Sequence, residues 1–320
     1  MLLIIVILLL FLFTSLSGLA GAAEIAVLKS AGLPYYEQAV VGFKTGIPAI
    51  TSIKEYNLNG QLAEGRQIAK SLRASPPDLI FAVGLKAAMA AKLEIVDTPV
   101  VFCMVLNPET HGLPLPNMTG IAVRPTAETQ LAALRSVVPN RNRVGVLYDE
   151  EQSGGFIRQA HRVAKQQGLD LLAVAVQRPD EIPNAVRALL PKIDALWLIQ
   201  DQTVVSESAI SFFLESTLEA KVPLFTFSST LVQQGALGAL VMDPWTVGQQ
   251  AAHLALARLS GQHASTGLLQ TPERPQLALN MNSAEYLGLS LPPELIRLAG
   301  HLYGGPGTLA RQPDHADLIP

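Results

Sequence analysis

The chain is predicted to be an α/β protein of two similar lobes, each a parallel sheet flanked by helices. Short β-branched runs alternate with amphipathic stretches along the body of the chain, and the runs of the first half return in the second with the same punctuation. The body, about 297 of the 320 residues, also exceeds what one hydrophobic core ordinarily organises.

Taken in order, the first half predicts strands at Ile25 to Leu28, Ser52 to Asn57, Leu79 to Val83, Val100 to Val105 and Thr119 to Val123. Nearly continuous apolar runs of this kind suit central strands buried on both faces. Between them Leu62, Gly65, Ile68, Ala69 and Leu72 recur at helical spacing, opposite Glu64, Arg66, Lys70 and Arg73, which predicts a crossover helix. The second half repeats the rhythm with strands at Val144 to Tyr148, Leu171 to Val176, Ala195 to Gln200 and Leu224 to Phe227. There Phe156, Ala160, Val163 and Ala164 form one apolar helical stripe, and Gly168 falls where a left-handed C-terminal cap is needed.

The two halves share one explicit pattern. Asp78 opens the strand Leu79 to Val83 and Pro99 begins the next; Asp194 and Pro223 do the same for Ala195 and Leu224. A proline at the start of a strand does least harm to the ladder. Further on, Gly235 to Met242 is a short apolar segment, Asp243-Pro244 starts a helix that runs to Ser260, and Leu277 to Asn280 is a late strand. Short helices follow near Ser283 to Leu287 and Pro293 to Leu298. Residues 301–320 mix Gly, Pro, His and Asp without period and read as a flexible tail.

Residues 1–23 carry no charge; an apolar run is followed by small residues, the order of a signal peptide, with cleavage expected after Ala22 or Ala23. An uncleaved anchor is the alternative, since the segment is long enough to span a bilayer. Export places the body in the periplasm or outside the cell. With 23 basic and 26 acidic side chains there is no electrostatic footprint for nucleic acid. The single cysteine, Cys103, lies in an apolar run and is expected to be a buried, inert thiol. No GxSxG, GxxxxGK[ST], HExxH or CxxC occurs, and the six histidines have no ligand spacing, so neither a metal nor a cofactor is expected and no catalytic set is visible.

In open parallel sheets, ligands bind beyond the carboxyl ends of the strands. That rule selects Ser30 after the first strand, Gly84 and Leu85 after the third, Asn107 after the fourth, Tyr148 and Asp149, Asp201 and Gln202, and Ser228. Tyr35 joins them as an aromatic at the start of the first helix. Asp201 carries most weight as a partner for a ligand amine, with capping of a helix near Val204 as its alternative role. Asn107 before Pro108 also has a plain turn reading.

An ordered series of motifs then resembles the ABC-transporter substrate-binding proteins of the TrpX-like kind. It includes Gly42-Phe43, Pro77-Asp78-Leu79-Ile80, Pro99-Val100-Val101-Phe102, Asn107-Pro108, Asn117-Met118-Thr119-Gly120-Ile121 and Val144-Gly145-Val146-Leu147-Tyr148. Asp194-Ala195-Leu196-Trp197, Gln200-Asp201-Gln202, Val222-Pro223-Leu224-Phe225, Val247-Gly248 and Leu287-Gly288-Leu289 continue it. The resemblance implies the type I periplasmic-binding-protein fold, with a ligand enclosed in the cleft between lobes by hinge closure. It implies crossings near 122–125, 228–236 and 275–281. The first lobe is then 24–123 plus about 231–276, and the second 124–230 plus about 277–300. It further implies a monomer that hands a small molecule, an amino acid of the kind that includes the aromatic ones, to an ABC permease in the inner membrane. A ligand-sensing module for a membrane receptor or kinase is the alternative, and an exported α/β enzyme a more distant one. Asn107-Pro108, Gln200 and the loop Lys29 to Leu33 depart from the family's usual residues, which implies a changed pocket.

Overall fold

The computed structural model describes residues 23–261 and 268–305. Residues 1–22 of the expected signal peptide and the tail from residue 306 onward lie outside the described residues. The first lobe begins with β1 (Glu24–Lys29), α1 (Pro34–Gly46), β2 (Ser52–Asn57), α2 (Leu62–Ala74), β3 (Leu79–Val83), α3 (Leu85–Glu94), β4 (Val100–Val105) and β5 (Met118–Ala122). The second contains α4 (Ala127–Val137), β6 (Arg143–Tyr148), α5 (Glu150–Gln166), β7 (Asp170–Ala175), α6 (Ile182–Leu189), β8 (Ala195–Trp197), α7 (Glu207–Glu219), β9 (Leu224–Thr226), α8 (Ser229–Gln233) and β10 (Gly238–Val241). The chain returns to the first lobe for α9 (Pro244–Leu259) and β11 (Leu269–Gln270). It ends in the second with β12 (Gln276–Asn280), α10 (Met281–Tyr286), α11 (Pro293–Leu298) and β13 (His301–Tyr303).

The strands form two sheets, ordered β11-β5-β4-β3-β1-β2 and β13-β12-β10-β9-β8-β6-β7. Every pairing is parallel except β10 with β12. In the first lobe the alternation of β1 divides the core. Ile25 and Val27 face α1 and α9 together with Phe43 and Phe81, whose rings stack at 4.0 Å, while Ala26 and Leu28 face α2 and α3. In the second lobe Val144, Val146 and Trp197 pack toward α4 and α5, and Leu147, Leu196 and Leu224 toward α6, α7 and α8. Each such large apolar side chain contributes about 1.5–3 kcal/mol by burial. No residue of the sequence Ser-Ile-Lys-Glu-Tyr-Asn of β2 is fully buried, because this strand is the sheet edge and not a central strand.

The repeat read from Asp78 and Asp194 has a structural basis. Asp78 accepts a hydrogen bond from the Glu24 N–H at 2.7 Å, and Asp194 from the Arg143 N–H at 2.9 Å. Each aspartate therefore ties the start of one strand to the start of its lobe's first strand. The prolines match as well: the carbonyls of Pro99 and Pro223 accept from Ile80 N and Leu196 N at 3.0 and 2.9 Å.

Local signals place the caps. Gly168 has φ +71°, with Leu169 N donating to Ala164 O at 2.8 Å and Gly168 N to Lys165 O, the Schellman arrangement at the end of α5. Asp243 caps α9 by accepting from Trp245 N and Thr246 N at 3.2 and 3.1 Å.

Two crossings and the C-terminal tail differ from the sequence expectation. β10 pairs with β9 and β12, so it belongs to the second sheet, and the chain returns to the first lobe at Met242-Asp243 instead of within 228–236. The last crossing lies at 271–275, between β11 of one sheet and β12 of the other, and not at 275–281. The tail is shorter than expected, since His301 to Tyr303 pairs with β12 as β13 and buries Tyr303. A three-residue strand on a sheet edge has too little pattern to be read locally.

Candidate ligand site

Hydrogen bonds between the lobes show that the carboxyl ends of the two sheets face each other. Asn107, just past β4, donates through Nδ2 to the carbonyl of Gln152 in α5 at 2.9 Å. Arg124, in the first crossing, donates through Nη1 to the carbonyl of Gln200 at 3.1 Å and through Nη2 to Asn107 Oδ1. A cavity of about 580 Å³ opens beside this junction, bordered by Asn107, Arg124, Gln152, Phe156, Gln270 and Thr271. Its size lies within the range of small-molecule sites, and two of the three crossings form part of its wall.

The end of β4 is bent to make this wall. Its register against β5 breaks between Phe102 and Val105, Met104 has φ +58°, and Asn107 has φ +47°. Left-handed backbone at residues other than glycine carries a cost of order 1–3 kcal/mol and clusters at functional sites. Asparagine tolerates it best, and Pro108 then opens a short 3₁₀ turn closed by Thr110 N donating to Asn107 O at 3.1 Å. The turn reading of Asn107 is thus correct, and the same turn delivers its amide to Arg124 and Gln152.

Arg124 lies 3.8 Å over the ring centroid of Phe156. Burial pushes its guanidinium down to about 10, against the opposing pull of Asp201 and Glu109. Neither acid forms a contact ion pair with it among the described residues. The strand-end rule as applied to the sequence omits Arg124, although it directly follows the strand predicted to end at Val123, because 122–125 reads as a crossing. The available signal was a single cation directly after a buried strand and just before the N-cap Thr126. Phe156, one member of the apolar stripe in the sequence, does pack on the second lobe's core, and it also lies against Arg124.

Asp201 is 1 % exposed, and its carboxylate accepts from three backbone amides: Asp149 at 3.0 Å, Thr203 at 3.0 Å and Val204 at 3.2 Å. It braces the turn after β8 and pins it to the end of β6. The helix expected near Val204 begins later, at Glu207, with Ser206 as its cap. Asp149 caps α5 by accepting from Glu151 N at 2.9 Å and also accepts from the Thr203 hydroxyl at 2.6 Å. Three of the roughly four acceptor positions of the Asp201 carboxylate are thus taken by the protein's own amides. Gln202 beside it is exposed.

A second cluster gathers on the first lobe. Ser30 Oγ accepts from Ala87 N at 2.9 Å, capping α3 from outside that helix. Gly84 has φ +86°, and a Cβ there would lie 2.5 Å from the Tyr36 hydroxyl and 2.7 Å from Ser30 Oγ. Leu85 follows, half-buried. Tyr35 packs edge-on against Tyr36 with centroids 4.3 Å apart, and its buried hydroxyl has no hydrogen-bond partner among the described residues. On the second lobe Ser228 is buried at the start of α8, and Tyr148 is half-buried at the end of β6. The structure thus joins Asn107, Asp149 and Asp201 into one framework with Arg124 and groups Ser30, Tyr35, Gly84 and Leu85 separately.

Two helix-covered sheets with opposed carboxyl ends, joined by a chain that crosses three times around a cavity, define the type I periplasmic-binding-protein fold. The chain belongs to the ABC transporter substrate binding protein family, which it matches over residues 24–302. That family consists of solute-binding proteins and not enzymes.

One curated relative is the tyrosine-binding protein of Clostridioides difficile strain R20291, 23% identical over 241 residues, which are 73% of this chain and 69% of that protein. Among solved structures, the ligand-free, open form of a Clostridium difficile substrate-binding protein with adhesive properties superposes with a TM-score of 0.75 at 20% identity, covering 89% of this chain and 100% of that one. An ABC domain from Streptococcus pneumonia in complex with L-Trp gives a TM-score of 0.64 at 23% identity over 88% of this chain and 99% of that one. No helix among the described residues is long and apolar enough to cross a membrane.

Proposed function

We propose that this protein is exported, captures an aromatic amino acid between its lobes, and delivers it to the permease of an ABC importer. The observation that carries the reading is the interlobe cavity, where a cation, an aromatic ring and side-chain amides converge from both lobes and from the crossings. Such a mixture suits a ligand with an apolar ring and a charged head. The relatives described as binding tyrosine or holding L-Trp support the aromatic assignment. Closure follows from the same geometry: a ligand touching Asn107 on one lobe and Phe156 on the other favours the state in which both reach it.

The test is thermal-shift screening of ligand-free protein against the amino acids, with nucleobases and small acids as comparators. A ligand at about 100 times its dissociation constant stabilises the native state by about 2.7 kcal/mol. Tyrosine, tryptophan or phenylalanine is expected to raise the melting temperature above all other additions. A flat response to all three overturns the aromatic reading.

A further inference from the structure

We infer that Arg124 is the residue that binds the ligand's carboxylate, which makes the first crossing a recognition element as well as a hinge. The inference rests on the amino-acid reading above and adds to it the group that recognises the acid.

Four observations converge on this residue. First, a guanidinium has five N–H donors; one goes to the Gln200 carbonyl and one to Asn107, so three remain for a ligand. Second, the guanidinium lies 3.8 Å over the Phe156 ring, a contact that uses none of its N–H donors, and a guanidinium binds carboxylates through two parallel hydrogen bonds. Third, the cation is taken largely out of water with only neutral acceptors in direct contact, and Asp201, the buried acid that acts on it, is occupied by three backbone amides. Fourth, the remaining cation on the cavity wall, Arg158, is exposed and already paired with Glu150 at 2.6 Å.

The other charges on the wall narrow the ligand class. Glu109, Glu150 and Glu151 line the same cavity at its exposed rim. Three carboxylates against two arginines disfavour a ligand that brings only negative charge. A zwitterion fits: its carboxylate lies against Arg124 within, and its ammonium lies toward the acidic rim. A dicarboxylic amino acid would place its second acid among these glutamates and is rejected.

Isothermal titration of the ligand-free protein with L-tryptophan, tryptamine and indole-3-propionate separates the contributions. Tryptamine, which lacks the carboxylate, is expected to bind wild type about 100-fold more weakly than tryptophan, the scale of a charge-assisted bidentate pair. In Arg124→Gln, tryptophan is expected to fall to the tryptamine level, while tryptamine changes by less than about twofold. Arg124→Lys, which keeps the charge without the fork, is expected to recover part of the difference.

Equal binding of tryptophan and tryptamine by wild type overturns the inference without any variant and leaves the amino-acid reading standing. A variant that weakens both ligands equally also overturns it, assigning Arg124 a structural role. If wild type binds indole-3-propionate in an Arg124-dependent way but no aromatic amino acid, the carboxylate assignment stands and the amino-acid reading falls. If none of the three binds, and tyrosine, phenylalanine and their decarboxylated amines do not bind either, both fall.

Discussion

Gly248→Ala tests how the first lobe is held together. Helices α1 and α9 meet through Gly42 and Gly46 on one and Gly248 and Ala252 on the other. A Cβ at Gly248 would lie 2.0 Å from the Ala39 carbonyl oxygen and 2.8 Å from the Phe43 nitrogen, whereas ordinary contact begins at 3.4 Å. Both obstacles are main chain, so no rotamer change relieves them, and the helices must move apart. That separation loosens the packing of Val247, Ala251 and Ala255 against Ala39 and Phe43. Overpacking of this kind costs about 1–3 kcal/mol, and lost contacts add to it. Alanine's better helix propensity returns about 1 kcal/mol. A net loss of roughly 2 kcal/mol is expected, or about 4–8 °C in melting temperature for a lobe of this size. The matched control is Gly155→Ala in α5, where the nearest atom to the new Cβ is the mobile end of Arg158 at 3.8 Å. There the propensity gain stands alone, and stability is expected to rise by up to about 1 kcal/mol. Urea denaturation of both ligand-free variants, followed by circular dichroism, reads the difference. A Gly248→Ala protein as stable as wild type, or two variants shifted in the same direction, would refute the packing argument.

Two further outcomes follow from the hydrogen-bond framework. Asp201→Ala leaves the amides of Asp149, Thr203 and Val204 without their acceptor and is expected to cost at least about 3 kcal/mol. A urea midpoint unchanged from wild type would remove Asp201 from its bracing role. Acid titration tests Asp194, whose carboxyl is held below the ordinary range by its hydrogen bonds from Arg143, with partial burial opposing. A carboxyl depressed in the folded state stabilises above its unfolded value and loses that contribution as pH falls through the folded one. The urea midpoint is therefore expected to hold steady down to about pH 5 and to drop below about pH 4, with a shallower drop in Asp194→Asn. Identical pH profiles for the two proteins would contradict this.

Much of the architecture was legible because it depends on local chemistry. β3 and β4 coincide with the apolar runs from Leu79 and Val100, since a strand buried on both faces reads as a short, nearly continuous apolar run. The Asp243-Pro244 start and the Gly168 stop were legible because capping is a matter of a few adjacent residues. The site was only partly legible. The strand-end rule selected Asn107, which does line the cavity, and also selected Asp201, whose carboxylate accepts from three backbone amides. Nothing in a run such as Gln200-Asp201-Gln202 distinguishes an aspartate that braces a turn from one that binds an amine, because both roles need the same position at a strand end.

Sequence alone determined that this chain forms two repeated α/β lobes, and the paired Asp78/Asp194 and Pro99/Pro223 signals even mark the equivalent strand starts. Only the tertiary structure decided that β10 joins the second sheet, that β12 runs antiparallel beside it, and that Arg124 comes to lie between Phe156, Asn107 and Gln200. These outcomes depend on partners between 17 and 76 residues away along the chain for Arg124's hydrogen bonds alone. Periodicity and capping act over a few residues, and they carry no information about which distant segment completes a cavity.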